Sequence, residues 1–382
     1  MAGGLFSLIL TMGIARFSYT PMLPVMQAET FLNDASGGWL ATFNYVGYMA
    51  GALLAASISD LQLKDKLYRL GLIIAVLTTI GMALAENYWL WTFMRVVAGF
   101  SSAAGLLMGS GLILNWLMRN HHPAELGLHF GGVGLGIAAS AVLADLMVGH
   151  FNWSQQWEIL ALVGAVLVIP SWLWVPKPKP GVHTSSGRKL VDRPPPKSWM
   201  YTLYAAYFCA GYGYVISATF LVRIVENQPA LQGDGNFIWL LTGLAAAPAC
   251  LLWDRIARKI GQLKALFTAY GLQIAGIALP ALMPNMTGVV LGGLLYGGTF
   301  IGIVSLMLTM VGRFFPTKPA KPMGKLTLSY GVAQIFAPAL SGMMAEASGN
   351  YTASLYLAAS IVAAGMVLLV ILYLRKDYRL PE

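Results

Sequence analysis

GIARFSYTPMLP, residues Gly13 to Pro24, carries one arginine about midway along an apolar run from Gly3 to near Met26. A run of that length crosses a bilayer as a helix, because about 20 apolar residues span the hydrocarbon core. A guanidinium at that depth costs at least about 2.5–3.5 kcal/mol. Side chains that expensive face a cavity or a partner, so Arg16 is read as a functional group. Its distance from both helix ends argues against snorkelling to the surface.

Outward from this stretch the pattern repeats. The chain has 382 residues, of which 57% are hydrophobic and only 10% charged, against about 25% charged in a soluble domain. Apolar segments run approximately over 3–26, 37–58, 69–86, 89–117, 126–149, 155–175, 199–222, 236–253, 263–283, 286–312, 323–346 and 351–374. These predict an all-α membrane protein of twelve transmembrane helices. The first segment is too long for a signal peptide and lacks a small-residue cleavage site. Cys209 and Cys250 both fall in apolar segments, where they pack rather than form a disulfide framework.

The net charge of +9 is distributed by side. The even-numbered connections and the C-terminus hold Lys64, Lys66, Arg69, Arg119, the linker lysines and arginines, Arg255, Arg258, Lys259, Arg313 and Arg375. The odd-numbered ones hold Glu29, Asp34, Glu86, Glu226, Asp234 and Glu346, with only Arg223 nearby. The positive-inside rule then places both termini in the cytoplasm. The basic balance reflects topology and calls for no nucleic-acid partner.

The longest connection, PKPKPGVHTSSGRKLVDRPPPKS, is rich in proline and charge and reads as a cytoplasmic linker over 176–198. It separates a six-helix half, 1–175, from a second, 199–382. The halves echo each other: Asp60 and Asp254, and Arg119 and Arg313, are both 194 residues apart. Parallel six-helix repeats are the architecture of a large class of secondary transporters, with the site at the repeat interface.

On these residues the chain resembles the major facilitator superfamily. CLLWDRIARK, with Asp254, Arg255, Arg258 and Lys259, is similar to its cytoplasmic signature loop. FMRVVAGFSSAAG, with Arg95 four before Gly99, is similar to its fourth-helix motif. GIARFSYTPMLP resembles more narrowly the YbfB/YjiJ-like branch. The resemblance implies the MFS fold, secondary active transport by alternating access across the cell inner (plasma) membrane, a gating role for Asp60, Asp254, Arg255 and Arg258, and a part for Arg95 in proton coupling. In the first-half loop, Leu61 and Leu63 replace the basic residue and glycine usual there.

A planar guanidinium binds a carboxylate through two parallel hydrogen bonds, so Arg16 is expected to hold an anionic group. Aligning Gly13 with Gly211 sets Tyr214 opposite Arg16, so the second half offers no second cation. A small anion or zwitterion fits better than a multiply charged phosphate. Tyr19, three residues on, is expected on the same helix face. Asn44, Tyr45, Gln273, Tyr296, Tyr330 and Gln334 complete the expected substrate-binding set, the amides because buried amides need partners. Asp145 is the expected proton carrier with Arg95, and Glu158 comes second. HHPAELGLH spaces His122, Glu125 and His129 by three and four, but no thiolate or second carboxylate completes a metal site. Metal and cofactor are therefore expected to be absent.

The expectation is a monomeric, proton-coupled transporter of a small organic anion or zwitterion in the lipid bilayer, and not an enzyme. The alternative within the fold is a proton-antiport multidrug or lipophilic-cation efflux pump, which calls for a deep acid, whereas the deepest charge here is positive.

Overall fold

The computed structural model describes residues 1–120, 126–178, 192–315 and 320–375. Among these there is helix and no strand. Thirteen helices follow in order. They are α1 Ala2–Glu29, α2 Asp34–Ser57, α3 Leu61–Gly81, α4 Tyr88–Leu117, α5 Gly127–Met147, α6 Trp153–Leu173 and α7 Lys197–Glu226. After them come α8 Gly235–Ala246, α9 Ala249–Ile260, α10 Gln262–Leu282, α11 Met286–Phe314, α12 Ala320–Ser348 and α13 Thr352–Leu374.

Eight of these are long and apolar enough to cross a membrane, or nine when the bent pair α8 and α9 counts as one span. The expectation of twelve uniform segments is therefore met only in part. The eighth expected segment is broken by a 45° bend between Ala246 and Ala249. Pro248 stands at the break, and its missing N–H and its ring interrupt the ladder. α3 falls outside the apolar set because Lys64, Asp65, Lys66 and Arg69 crowd its first turns, and α2 and α12 for a different reason. They pack on each other, and their sequences are diluted with Gly, Ser and Tyr that suit a helix contact better than lipid.

The helix starts are written locally. Asn33, Asn87, Asn152 and Asn285 each accept a backbone N–H at the first turn of α2, α4, α6 and α11, and Asp60 does so for α3. These satisfy donors that the helix leaves orphaned.

Burial sorts centre from rim. The apolar windows of α7 and α1 are 83% and 78% buried, whereas those of α6 and α13 are 33% and 39% buried. Exposed Leu162, Val166 and Ile169 on α6 and Val367 and Ile371 on α13 give those helices a lipid-facing surface. Helices before and after the 176–198 segment meet at α2–α12, α5–α8 and α1–α7. Thr42 donates to the Ile335 carbonyl at 2.8 Å, Trp239 Nε1 donates to Ser140 Oγ at 3.2 Å, and Thr20 donates to the Ala218 carbonyl.

Two close approaches hold α1 and α4 in place. A Cβ on Gly13 would stand 2.4 Å from the Gly136 Cα, so α1 and α5 touch backbone to backbone. A Cβ on Gly99 would stand 1.9 Å from the Asn44 carbonyl oxygen of α2. Alanine raises helix propensity by roughly 1 kcal/mol over glycine, but here the clash is with backbone. Overpacking of this kind costs about 1–3 kcal/mol. Gly99→Ala should therefore lower the thermal unfolding midpoint in detergent. Gly111→Ala, with nothing within 4 Å of its Cβ, should leave it equal or higher. Equal midpoints for both variants would remove this account of the α2–α4 crossing.

Candidate functional site

The decisive stretch of α1 is not an ordinary helix. Ile9–Phe17 is π-helical, and the Ser18 N–H reaches back five residues to the Gly13 carbonyl at 2.9 Å. Pro21 and Pro24 follow, each lacking an N–H for the turn before it. α4 carries a second π-helical stretch over Ala104–Met108. Both stretches border one cavity of about 180 Å³, through Met12, Arg16 and Phe17 on α1 and Leu106 and Leu107 on α4. Irregular helical turns of this kind often mark functional sites.

Arg16 is 4% exposed. Its guanidinium carbon lies 4.4 Å from the Tyr48 ring centre, 4.6 Å from Tyr45 and 5.5 Å from Phe17. Its Nε has no hydrogen-bond partner among the described residues. Arg16 is in none of the ion pairs Arg69–Asp65, Arg223–Asp34 and Arg258–Asp254, and no carboxylate among the described residues neutralises it. Cation–π contacts are worth about 2 kcal/mol or more when desolvated, which offsets part of the burial cost.

The opposite wall is aromatic. Tyr207 and Tyr330 lie 4.5 Å apart, Tyr214 and Phe300 5.2 Å, and Tyr214 and Tyr330 5.7 Å, between ring centres. Tyr296 stands behind this layer and donates to the Tyr214 carbonyl at 2.9 Å. Gln334, Thr327, Ser305 and Ser110 are polar groups on the wall, which holds no aspartate or glutamate among the described residues.

Of the residues expected from sequence, Arg16, Tyr214, Tyr330 and Gln334 line the cavity, and Tyr45 packs on the guanidinium. The others go elsewhere. Tyr19 turns from Arg16 to Arg95, whose guanidinium carbon is 4.3 Å from its ring, and donates to the Gly37 carbonyl at 2.9 Å. Asn44 uses its amide at the α2–α4 crossing, donating to the Arg95 carbonyl at 2.9 Å. Gln273 is buried in α10, off the cavity wall.

Asp145 is exposed on the outer surface of α5, beside exposed Leu146, and makes no ion pair with Arg95. The expected Arg95–Asp145 coupling pair is thus not assembled. Arg95 is buried at 3% with an unpartnered Nε. Asp60 caps its own helix through the Gln62 N–H, and Asp254 pairs with Arg258 one turn along α9, while Arg255 is exposed. His122 and Glu125 lie outside the described residues.

Sequence reading passed over several wall residues. Tyr207 precedes Tyr214 by two turns, and Thr327, Tyr330 and Gln334 are spaced by three and four, so a helical-face count finds them. Ser110 and Ser305 give no such signal. Arg69 looked like a topology charge, yet it is buried against Asp65 and donates to the Trp172 and Val175 carbonyls at 2.6 and 3.1 Å, tying α3 to the end of α6.

The cavity extends from Arg16 past Phe130, Cys250 and Leu308 toward the end of the bundle that carries the basic connections. The acidic end is closed by a polar cluster. Asp34, at the first turn of α2, accepts from Arg223 Nε at 3.2 Å, from Gln27 Nε2 at 2.7 Å and from the Tyr351 hydroxyl at 2.9 Å. Its own N–H donates to Glu346 at 3.1 Å.

Comparisons with known proteins speak to the family and the fold. A family profile described as "Uncharacterised MFS-type transporter YbfB" matches residues 8–371. A 38 kDa protein encoded in the 23S RNA operon of Thermoproteus tenax is 28% identical, over 82% of this chain and 79% of its own length. The MFS-type transporter YceJ of Bacillus subtilis is 25% identical, over 82% and 80%. The crystal structure of the nucleoside transporter NupG superposes with a TM-score of 0.73 over 98% of this chain and 99% of its own, at 14% identity. At that identity the likeness is one of fold alone.

Proposed function

This chain belongs to the YbfB family of MFS-type transporters, and from that premise we propose that it moves a small organic anion or zwitterion across the membrane by proton-coupled alternating access. The observation that carries the substrate class is Arg16: a buried guanidinium on a cavity wall with no acid among the described residues to neutralise it. A bound carboxylate would supply the missing counter-charge through two charge-assisted hydrogen bonds. Tyr214, Tyr330 and Gln334 would hold the rest of the molecule against the aromatic wall, with Tyr45 positioning the guanidinium. A cavity of about 180 Å³ is below the roughly 300–1,000 Å³ of drug-sized sites and favours a small substrate.

The movement we infer is a rocking of the halves 1–175 and 199–382 around this site, with twelve membrane crossings and both termini in the cytoplasm of a cell with its inner membrane as host. Closure at the acidic end and a cavity running toward the basic end then correspond to a cytoplasm-directed state. Arg95, packed on Tyr19 next to the α2–α4 crossing, would transmit charge changes at the site to that crossing. The fixed positive charges favour an anionic partner over a lipophilic cation.

The test is proton flux in proteoliposomes carrying an internal pH dye. Benzoate, lactate, alanine and tetraphenylphosphonium are offered in turn across the reconstituted protein. The expected result is proton movement with a carboxylate or amino acid and none with the cation. Flux with tetraphenylphosphonium alone would overturn the reading.

A further inference from the structure

A cavity of about 520 Å³ opens between the first turns of α3 and the end of α6, at the basic end of the bundle. It shares no wall residue with the arginine site. Its charged groups are Lys66 and Lys177, both exposed, and the buried pair Asp65 and Arg69. Arg69 Nε donates to both Asp65 oxygens at 3.1 Å, so that pair neutralises itself. The two lysines enter no ion pair among the described residues. They leave the cavity with a net positive charge.

Arg69 also sets where the second lysine stands. It donates to the Trp172 and Val175 carbonyls, and its guanidinium carbon lies 5.1 Å from the centre of the Trp172 ring. The clamp fixes the chain as it leaves α6, two residues before Lys177. Pro176 and Pro178 on either side restrict the backbone of that lysine further. Along α3 the surface changes character on one helix face. Gln62 and Lys66 come first, followed by exposed Leu70, Ile73 and Leu77. Intervals of four, four, three and four keep all five on one side, and the first four line the cavity. The stripe thus runs from polar at the basic end to apolar toward the middle of the bundle. A phospholipid presents its headgroup and its acyl chain in that order. Trp172 adds an amphipathic ring of the kind enriched at the bilayer interface.

We propose that this cavity binds an anionic phospholipid, with its phosphodiester between Lys66 and Lys177 and one acyl chain along Leu70, Ile73 and Leu77. Basic pockets between spanning helices at a membrane face attract anionic headgroups. Charge makes the selection. A zwitterionic headgroup brings its own cation, which the two lysines repel, whereas an anionic one meets them without opposition. The bound headgroup neutralises both lysines and holds the start of the 176–198 segment against α3. The site needs only the basic end at a membrane face, and it is independent of what the arginine cavity carries.

The test is native mass spectrometry of the full-length protein, delipidated in detergent and titrated with dioleoylphosphatidylglycerol or dioleoylphosphatidylcholine. Wild type is compared with the pair Lys66→Gln and Lys177→Gln. A control pair, Lys259→Gln and Lys264→Gln, removes two exposed lysines from another basic connection. Wild type is expected to prefer phosphatidylglycerol. The first pair should weaken that binding roughly 30-fold, and the control pair should bind as wild type does. Equal loss in both pairs, or equal binding of the two lipids to wild type, would overturn the site. Inorganic phosphate that displaces phosphatidylglycerol at matched concentration would show a phosphate site with no use for the acyl chain, and would overturn the lipid assignment. Phosphatidylglycerol should also raise the thermal unfolding midpoint of wild type and of the control pair, but not of Lys66→Gln with Lys177→Gln. A rise common to all three would place the lipid elsewhere.

Discussion

Arg16→Gln is expected to lower the apparent affinity for an anionic substrate by at least about 30-fold and to abolish coupled flux at micromolar concentrations. Removing one partner of a buried, hydrogen-bonded charge pair costs about 2–5 kcal/mol, and each 1.4 kcal/mol is about tenfold. Arg16→Lys keeps the charge and loses the two-pronged geometry, so it should fall between glutamine and wild type. The same substitutions make an opposite prediction for the empty protein. Arg16 is buried with no carboxylate partner among the described residues and an unpartnered Nε, so glutamine should leave the unfolding midpoint unchanged or raise it. Function and stability trade against each other at sites of this kind. A variant that loses flux because it melts earlier would show Arg16 to be structural, and one that transports anions normally would remove it from the site.

The second large effect is expected at the acidic end. Asp34→Asn withdraws the charge that Arg223, Gln27 and the Tyr351 hydroxyl all approach. Burial, together with the adjacent Asp34 carboxylate, pushes the Tyr351 phenol well above its ordinary range. That phenol therefore stays a donor at every working pH, so the cluster depends on Asp34 as acceptor. Arg223 is partly exposed, which discounts the pair relative to a fully buried one. A loss of about 1–2 kcal/mol is expected, moving the ratio of closed to open acidic ends by roughly tenfold. Spin labels at Asn33 and Ser348, both exposed there, should report a longer distance in Asp34→Asn. Arg223→Gln added to Asp34→Asn should do little more, since the two act through one contact. An unchanged distance distribution would mean that the α2–α12 packing, and not the charge cluster, closes this end.

Much of the architecture is legible in the chain itself, because the bilayer leaves so few options. Backbone polar groups must be satisfied within each spanning segment, so a long apolar run is a helix almost regardless of its detail. Asparagines at the starts of α2, α4, α6 and α11 mark their own helix ends. Arg16 was conspicuous for the same reason, as a charge that lipid would not accept. The segment over 236–253 reads as one span, and the 45° break at Pro248 that yields α8 and α9 depends on the packing that tolerates the freed backbone.

Other features emerged only in three dimensions. Spacing by three should have put Tyr19 beside Arg16, but the wider turns of the π-helical stretch end between them and swing Tyr19 to Arg95. The Asp34 cluster joins residues up to 317 positions apart, and no local pattern announces it. Asp145 and His129 reverse their apparent standing: the acid faces outward, and the histidine is buried with its Nε2 3.0 Å from Ser110 Oγ. The sequence by itself determined a helical membrane protein of this family with a costly arginine in its first span. Which face of each helix looks inward was decided by tertiary structure alone, because lipid and protein interior are equally apolar and periodicity has no contrast to read.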